Sequence, residues 1–416
     1  MTDADVLIIG GGSIGLNCAY SLLKSGRKVT ILDQKNIAAG SSAGNAGHIV
    51  PSHIVPLAAP GMIGTALKWM LNPSTSPFSM KASLDPAYLA WLLQFAMACS
   101  SANVQRAIPP LKALGLLSAK NFRELVLAEG FDCHYHETGL LFLYQTEEAY
   151  AGGKHEAGIL HENGLPAEIL DAAEVHRREP AALPGVIGGV HFTGDAALHP
   201  GRFLEQLARR VRAMGAIVHE NTVVSGLQSE NGRITRVRTN NGDFSPALVV
   251  LAAGAWSPTV VKGLGINIPI QPARGYSLTM RATKKMPRQA LLLGERRVAV
   301  TPLGNVLRFT GRLELSPLDT RVNEKHIKGI EQAVREYIDL DASLDIQETW
   351  AGLRPTTPDG MPIIGYSPRH NNLLIASGHA MLGLSLGPGT GQVVAELAAG
   401  SPTAFDLQPF SAERFR

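Results

Sequence analysis

The chain has 416 residues, 45% hydrophobic and 18% charged, with 43 glycines and 26 prolines. That is enough to bury a large core, in the proportions of a soluble α/β protein with many tight loops. A formal charge of +3 without a basic block gives nucleic acid nothing to bind and leaves small anionic substrates open. Cys18, Cys99 and Cys133 show no CxxC spacing and no paired framework, which argues against a zinc or thiol–disulfide site and fits a reduced, cytoplasmic compartment.

In chain order, residues 5–9 form a continuous apolar run ending at Gly10, the pattern of a central parallel strand. Asp3 and Asp5 stand where a signal peptide would be basic. A helix is expected over 13–25, with Leu16, Tyr20 and Leu23 on one face and Gly26 at its end. A second buried strand, 29–32, closes at Asp33. This βαβ unit requires a parallel sheet covered on both faces. Residues 40–48 are rich in glycine, serine and alanine, so their backbone can approach a ligand closely. Residues 57–130 read as mainly helical. The charge-free stretch 86–104 is long enough to span a bilayer, but Gln94, Asn103 and its proline start make it a buried or interfacial helix. Leu67-Lys68-Trp69-Met70-Leu71 and the Trp91 segment are candidates for peripheral contact with the inner face of a membrane. Strands are expected at 139–144, 189–193, 217–220, 223–227, 234–239 and 244–251, with helices at 148–163 and 202–214. Residues 268–314 alternate as antiparallel strands do. A strand at 373–376 then leads through a glycine-rich turn into a helix at 391–399.

Gly10-Gly11-Gly12-Ser13-Ile14-Gly15 matches G-x-G-x-x-G between a strand and a helix. Gly10 permits the turn, Gly12 admits a pyrophosphate, Gly15 lets helix and strand touch, and the helix N-terminus favours the anion. Asp33, next to Gln34, is placed to accept hydrogen bonds from a ribose diol. The motif itself serves FAD and NAD alike. FAD is favoured by the long loop carrying Ser41, Ser42, Asn45, Ala46, Gly47 and His48. It is also favoured by 248–256, which resembles a second flavoprotein motif with Ala253, Gly254 and Trp256 at its turn. No second G-x-G-x-x-G is present. Further candidates for cofactor contact are Val223, Val224, Gly352, Arg354, Gly378, His379, Leu382, Gly383 and Thr390. The turn 384–391 is expected to face the N1–C2=O edge of a flavin. With no cysteine beyond Cys133, a cysteinyl flavin link from that half is excluded.

Ser42–Gly47, Ala58–Gly61, Lys68–Met70, Gly275–Thr279, Trp350–Gly360, Ser377–His379 and Gly387–Gln392 carry a resemblance that runs nearly end to end. The chain resembles the D-amino-acid dehydrogenase branch of the glycine oxidase and D-amino-acid oxidase superfamily. The resemblance implies an α/β fold: a Rossmann-like FAD-binding domain from 1–80, 195–260 and 345–416, with an inserted α+β substrate domain, built on a mostly antiparallel sheet, from 81–194 and 261–344. It also implies non-covalent FAD, oxidation of an α-amino acid, and a quinone or respiratory electron acceptor. Residues 49–56 differ from the alanine-type enzymes. That keeps D-proline and cis-4-hydroxy-D-proline open as substrates, alongside a glycine- or sarcosine-type oxidase releasing hydrogen peroxide.

Such chemistry needs a neutral amine, a Cα–H aimed at the flavin, and a clamp for the carboxylate. Arg354 is the expected clamp, because a guanidinium meets a carboxylate bidentately. Tyr276 is expected to donate to the same carboxylate, with Arg308 as a secondary clamp and Arg274 behind it. His48 follows the loop and is placed over the flavin. His53 is a secondary substrate contact, and it shows no metal-ligand spacing with His134, His136 or His199.

Overall fold

The computed structural model describes residues 2–70, 76–283 and 285–415; Leu71, the last residue of the segment offered for membrane contact, lies outside them. Two sheets organise the chain. In the first, strands run in the order Val224–Glu230, Arg233–Thr239, Phe244–Leu251, Thr2–Ile9, Val29–Leu32, Ile217–His219, with Leu373–Ser377 on Phe244–Leu251 and Ile363–Tyr366 beyond it. Thr2–Ile9 pairs in parallel with Val29–Leu32 and with Phe244–Leu251, as the βαβ reading requires.

Alternation along the first strand supplies both faces of that sheet. Val6 and Ile8 pack with helices Ser13–Lys24 and Pro200–Ala213. Leu7 and Ile9 pack on the opposite side with Val249, Leu251 and Val260. Four successive residues are thus fully or nearly fully buried, which is why this strand reads as a continuous apolar run.

The second sheet has nine strands: Ile346–Thr356, Gln271–Arg281, Val306–Leu315, Val298–Pro302, Ala290–Leu293, Leu140–Tyr144, Gly188–Phe192, Glu168–Asp171, with Phe78–Met80 alongside Val306–Leu315. It is mostly antiparallel; Ala290–Leu293 with Leu140–Tyr144, and Val306–Leu315 with Phe78–Met80, pair in parallel. Tyr276, Leu278 and Met280 point to one face, where Ile327, Ile330 and Val334 of helix Glu324–Arg335 cover them.

The chain divides between the sheets differently from the sequence expectation. Phe78–Met80 and Ile346–Thr356, assigned above to the dinucleotide domain, hydrogen-bond in the second sheet. Helix Ser101–Glu129, assigned to the inserted domain, buries Phe122, Leu125 and Val126 against Leu16, Cys18 and Tyr20 of the first. The physical reason is shared: strand and helix partners here lie far away in sequence, beyond what local periodicity encodes.

The glycine run at the start of helix Gly387–Ala399 also has a different use. A Cβ at Gly391 would lie 2.4 Å from the Asn17 carbonyl oxygen, and one at Gly389 would lie 3.0 Å from Ser118 Cβ. These glycines let the helix press against Ser13–Lys24 and Ser101–Glu129. Of the turn 384–391, expected to face a ligand, only Leu384 lines the cavity described below.

Gly15 is the tightest contact of this kind, since a Cβ there would sit 1.8 Å from the Gly10 carbonyl oxygen. Both groups are backbone and cannot swing aside. Gly15→Ala should therefore cost about 1–3 kcal/mol of stability, read as a lowered thermal midpoint; an unchanged midpoint would contradict this packing.

Candidate active site

The carboxyl ends of Thr2–Ile9, Val29–Leu32, Phe244–Leu251 and Leu373–Ser377 open on one cavity of about 650 Å³, roofed by the second sheet. Ligands of open parallel sheets bind at such strand ends.

Gly10 turns the chain away from the first strand at φ 107°, and a Cβ there would lie 2.5 Å from the Ala252 carbonyl oxygen. At Gly12 a Cβ would meet only Ser42 Oγ, at 3.1 Å, so the backbone is open to the cavity. Gly12 supplies no side-chain cap to helix Ser13–Lys24; Ser42 Oγ accepts from Ser13 N at 2.9 Å, and the positive end of the helix faces the cavity. Ser13 Oγ is buried there without a hydrogen-bond partner. Asp33 Oδ2 accepts from Gly11 N at 2.7 Å and Oδ1 from Lys35 N at 2.8 Å, which leaves acceptor capacity on the carboxylate. Burial holds its carboxyl above the usual range. A helix N-terminus facing the cavity, an orphan hydroxyl and a carboxylate with spare lone pairs fit a nucleotide bearing phosphates and a ribose.

Most of the residues singled out from sequence meet on this cavity. Gly10, Gly12, Ser13 and Ile14 lie at one end with Asp33, Gln34, Val223 and Val224. Ser41, Ser42, Asn45, Ala46, Gly47 and His48 form a wall. Ala253, Gly254 and Trp256 lie at the turn after Phe244–Leu251, and Gly378, His379, Leu382 and Gly383 follow Leu373–Ser377. Gly352, Arg354 and His53 complete the set. Gly15 lies beneath the loop against Gly10, and Thr390 is buried behind His379, whose Nε2 lies 3.1 Å from Thr390 Oγ1.

Two expected substrate contacts are corrected. Tyr276 is fully buried and its hydroxyl donates to Glu314 Oε2 at 2.5 Å, beside Arg274, which pairs with the same carboxylate. Alternation explains the miss: Tyr276 faces helix Glu324–Arg335, while its neighbour Gly275 lines the cavity. Arg308 does not line the cavity. Its Nη1 donates to the Ala43 and Asn45 carbonyls at 2.8 and 3.2 Å, Nε to Thr279 Oγ1 at 2.9 Å, and Nη2 to Glu348 Oε2 at 3.3 Å. With every guanidinium nitrogen engaged, Arg308 fastens the 40–48 loop to the second sheet.

Arg354 is different. Its guanidinium lies over Gly275, where a Cβ would come within 2.5 Å of it, and Nη1 donates to the Arg312 carbonyl at 2.6 Å. Among the described residues no carboxylate pairs with it. Burial lowers its pKa to about 10, which still leaves it charged at neutral pH.

The cavity histidines are held neutral by burial: His48 is pushed down to about 3, His53 to about 4 and His379 to about 3. His48 Nε2 bonds Thr301 Oγ1 at 2.8 Å, and its strand residues pair with Ala196–Ala197. Sequence reasoning missed Trp350 and Arg297, both on the lining. The Trp350 indole is pressed between Gly44 and Gly352, where Cβ atoms would lie 2.2 and 2.1 Å from the ring. Its signal was parity, since Trp350, Gly352 and Arg354 alternate along one strand face. Arg297 sits in a turn and carried no local signal.

A family model described as FAD dependent oxidoreductase matches residues 5–397. A D-amino acid dehydrogenase of Granulibacter bethesdensis is 31% identical over 99% of both chains. One of Helicobacter pylori is 30% identical over 95% of this chain and 94% of its own. The fold matches that of glycine oxidase from Geobacillus kaustophilus, with a TM-score of 0.81 at 24% identity over 99% of both chains.

Arg308→Met keeps the stem and removes the fastening. Amide hydrogen exchange over residues 41–47 should quicken by roughly tenfold, the loss of about one net hydrogen bond; unchanged exchange would contradict the fastening role.

Proposed function

The chain belongs to the FAD-dependent oxidoreductase family, and we propose that it oxidises a D-amino acid to the corresponding imino acid, with Arg354 holding the substrate carboxylate. The observation that carries this reading is the Arg354 guanidinium on the cavity wall, bonded to the Arg312 carbonyl. A half-buried cation without a counter-ion is costly, and a bidentate carboxylate is the partner its fork is shaped for.

The Gly10–Gly15 loop and the 40–48 wall would hold FAD, which would supply the acceptor for a hydride from the substrate Cα. The chain's own residues bind and orient. Arg354 fixes the carboxylate, and the indole of Trp350 shields that end from water. His48 and His379, both hydrogen-bonded to threonines, stay uncharged, so they do not repel the substrate's amino group. The imino acid, once released, is hydrolysed by water to a 2-oxo acid and ammonia. Relatives at 30–31% identity named D-amino acid dehydrogenase support the D configuration.

The acceptor of the electrons is proposed to be a quinone reached from a membrane surface. Helices Met62–Met70 and Pro86–Ala98 leave Ile63, Leu67, Leu89, Leu93 and Met97 exposed, an apolar display suited to peripheral contact. Among the described residues no helix is long and apolar enough to cross a membrane.

Anaerobic mixing of the FAD-loaded protein with D-alanine, D-proline and cis-4-hydroxy-D-proline, each beside its mirror image, tests the reading. Bleaching of the flavin by a D-substrate and not its enantiomer is expected; bleaching by none, or by L-forms only, would overturn it. Rapid peroxide formation in air would instead mark an oxidase. Arg354→Ala should weaken substrate binding at least tenfold, about 1.4 kcal/mol, and a smaller change in the substrate dependence of bleaching would remove Arg354 from the clamp.

A further inference from the structure

An amino acid reaches the site at neutral pH as an ammonium, and an ammonium has no lone pair with which to assist departure of hydride from Cα. The proposed reaction therefore needs a proton acceptor. His48 and His379 each bond a threonine hydroxyl through Nε2, and among the described residues neither threonine leads on to a carboxylate that could take a proton further.

A different hydrogen-bonded chain leads out of the cavity. His53 lines it. His53 Nδ1 lies 3.1 Å from Ser52 Oγ, and Ser52 Oγ lies 2.6 Å from Asp195 Oδ2. Ser52 N donates to Asp195 Oδ1 at 3.1 Å, which fixes the carboxylate plane. Asp195 is 1% exposed and Ser52 6% exposed. No cation pairs with Asp195 among the described residues. An ionised carboxylate so placed gains stability by acquiring a proton.

The directions of these bonds follow from the donor inventory. Ionised Asp195 can only accept, so Ser52 Oγ donates to it and accepts from His53 Nδ1–H. That leaves His53 Nε2 as an unprotonated acceptor with no partner among the described residues.

We infer that His53 is the base that takes the substrate's ammonium proton, and that Ser52 and Asp195 are the positioning residues that pass this proton inward. The inference rests on the proposed function. The ammonium N–H bond breaks as the proton joins His53 Nε2. The Nδ1 proton moves to Ser52 Oγ while the Ser52 hydroxyl proton moves to Asp195. One proton is transferred in total; the imidazole ends neutral in its other tautomer, Asp195 ends as a carboxylic acid, and the amine keeps its lone pair. The proton returns to water along the same chain after product leaves.

The surrounding charges agree with this route. Burial, and then Arg297, disfavour a charged His53, so the proton does not stop there. Burial, aided by Glu156, raises Asp195 to about 7 against the opposing Ser52 hydrogen bonds. Glu156 itself is raised by burial and opposed by Arg297 and His155. Below about pH 7 the relay is already loaded and cannot accept; above it Asp195 is empty.

Asp195→Asn is the decisive variant, because it preserves the size of the side chain but cannot take a proton. With the asparagine amide donating to Ser52 Oγ, the Ser52 hydroxyl turns to donate to His53 Nδ1, and Nε2 carries the hydrogen. The experiment is anaerobic stopped-flow reduction of the FAD-loaded protein by whichever of D-alanine, D-proline or cis-4-hydroxy-D-proline bleaches the wild type fastest, across pH. The wild-type rate should rise through about pH 7 and level off. Asp195→Asn and Ser52→Ala should be slower by roughly a hundredfold at pH 7. They should recover at alkaline pH, where the amine arrives already neutral, and Ser52→Thr should restore the neutral rate. A loss equal at every pH, or no loss, overturns the relay. Nitrogen-15 NMR of the histidines, with His53 assigned by His53→Gln, is independent of any substrate. It should show Nδ1–H in the wild type and Nε2–H in Asp195→Asn. If no D-substrate bleaches the wild type, the proposed function falls, and the tautomer decides the relay alone: Nε2–H in the wild type overturns it.

Discussion

Residues 40–47 form no helix or strand, and the rest of the site depends on how their polar groups are satisfied. One sheet holds them through Arg308, which takes the Ala43 and Asn45 carbonyls, and through Ser41 Oγ, which donates to the Leu353 carbonyl at 2.5 Å. The dinucleotide side holds them through Ser42 Oγ, which accepts from Ser13 N at 2.9 Å. Trp350 lies against Gly44. The loop is therefore a joint between two sheets, and it forms one wall of the cavity between them.

Within that cavity the charges are sparse and one-sided. Arg354 and Arg297 are its cations near the second sheet, the histidines are held neutral by burial, and Asp33 lies with the dinucleotide loop. On the proposed reading a zwitterionic substrate has one orientation with favourable electrostatics: carboxylate to Arg354, amino group to neutral acceptors. The same desolvation that keeps the imidazoles neutral makes Asp195, with no cation beside it, the group that gains most from a proton. Binding, orientation and proton removal thus draw on one physical cause.

What could be read from sequence was what is encoded locally. The βαβ unit, the Gly10–Gly15 loop, Asp33 and the 40–48 wall follow from periodicity and spacing within the first 48 residues, and the structure brings them together as expected. Arg354, singled out for the chemistry of its guanidinium, does line the cavity, on strand Ile346–Thr356. The errors share another origin. Tyr276 and Gly275 differ by one residue, and alternation states that two faces exist without stating which is inward when both are buried. Arg308 looked like a clamp because its partners, the Ala43 and Asn45 carbonyls, are about 265 and 263 residues away. The glycines at 387–391 looked like an anion loop, while their partner Asn17 belongs to the first helix. Ser52 lies within the 49–56 segment noted from sequence, but its pairing with Asp195 gave no signal, since 143 residues separate them.

The most direct measurement is a crystal structure of the protein with FAD and a D-amino acid bound under anaerobic conditions. The account predicts FAD phosphates at the Gly10–Gly15 loop and the substrate carboxylate within hydrogen-bond reach of the Arg354 guanidinium. A carboxylate seated elsewhere, with Arg354 still turned to the Arg312 carbonyl alone, would contradict it.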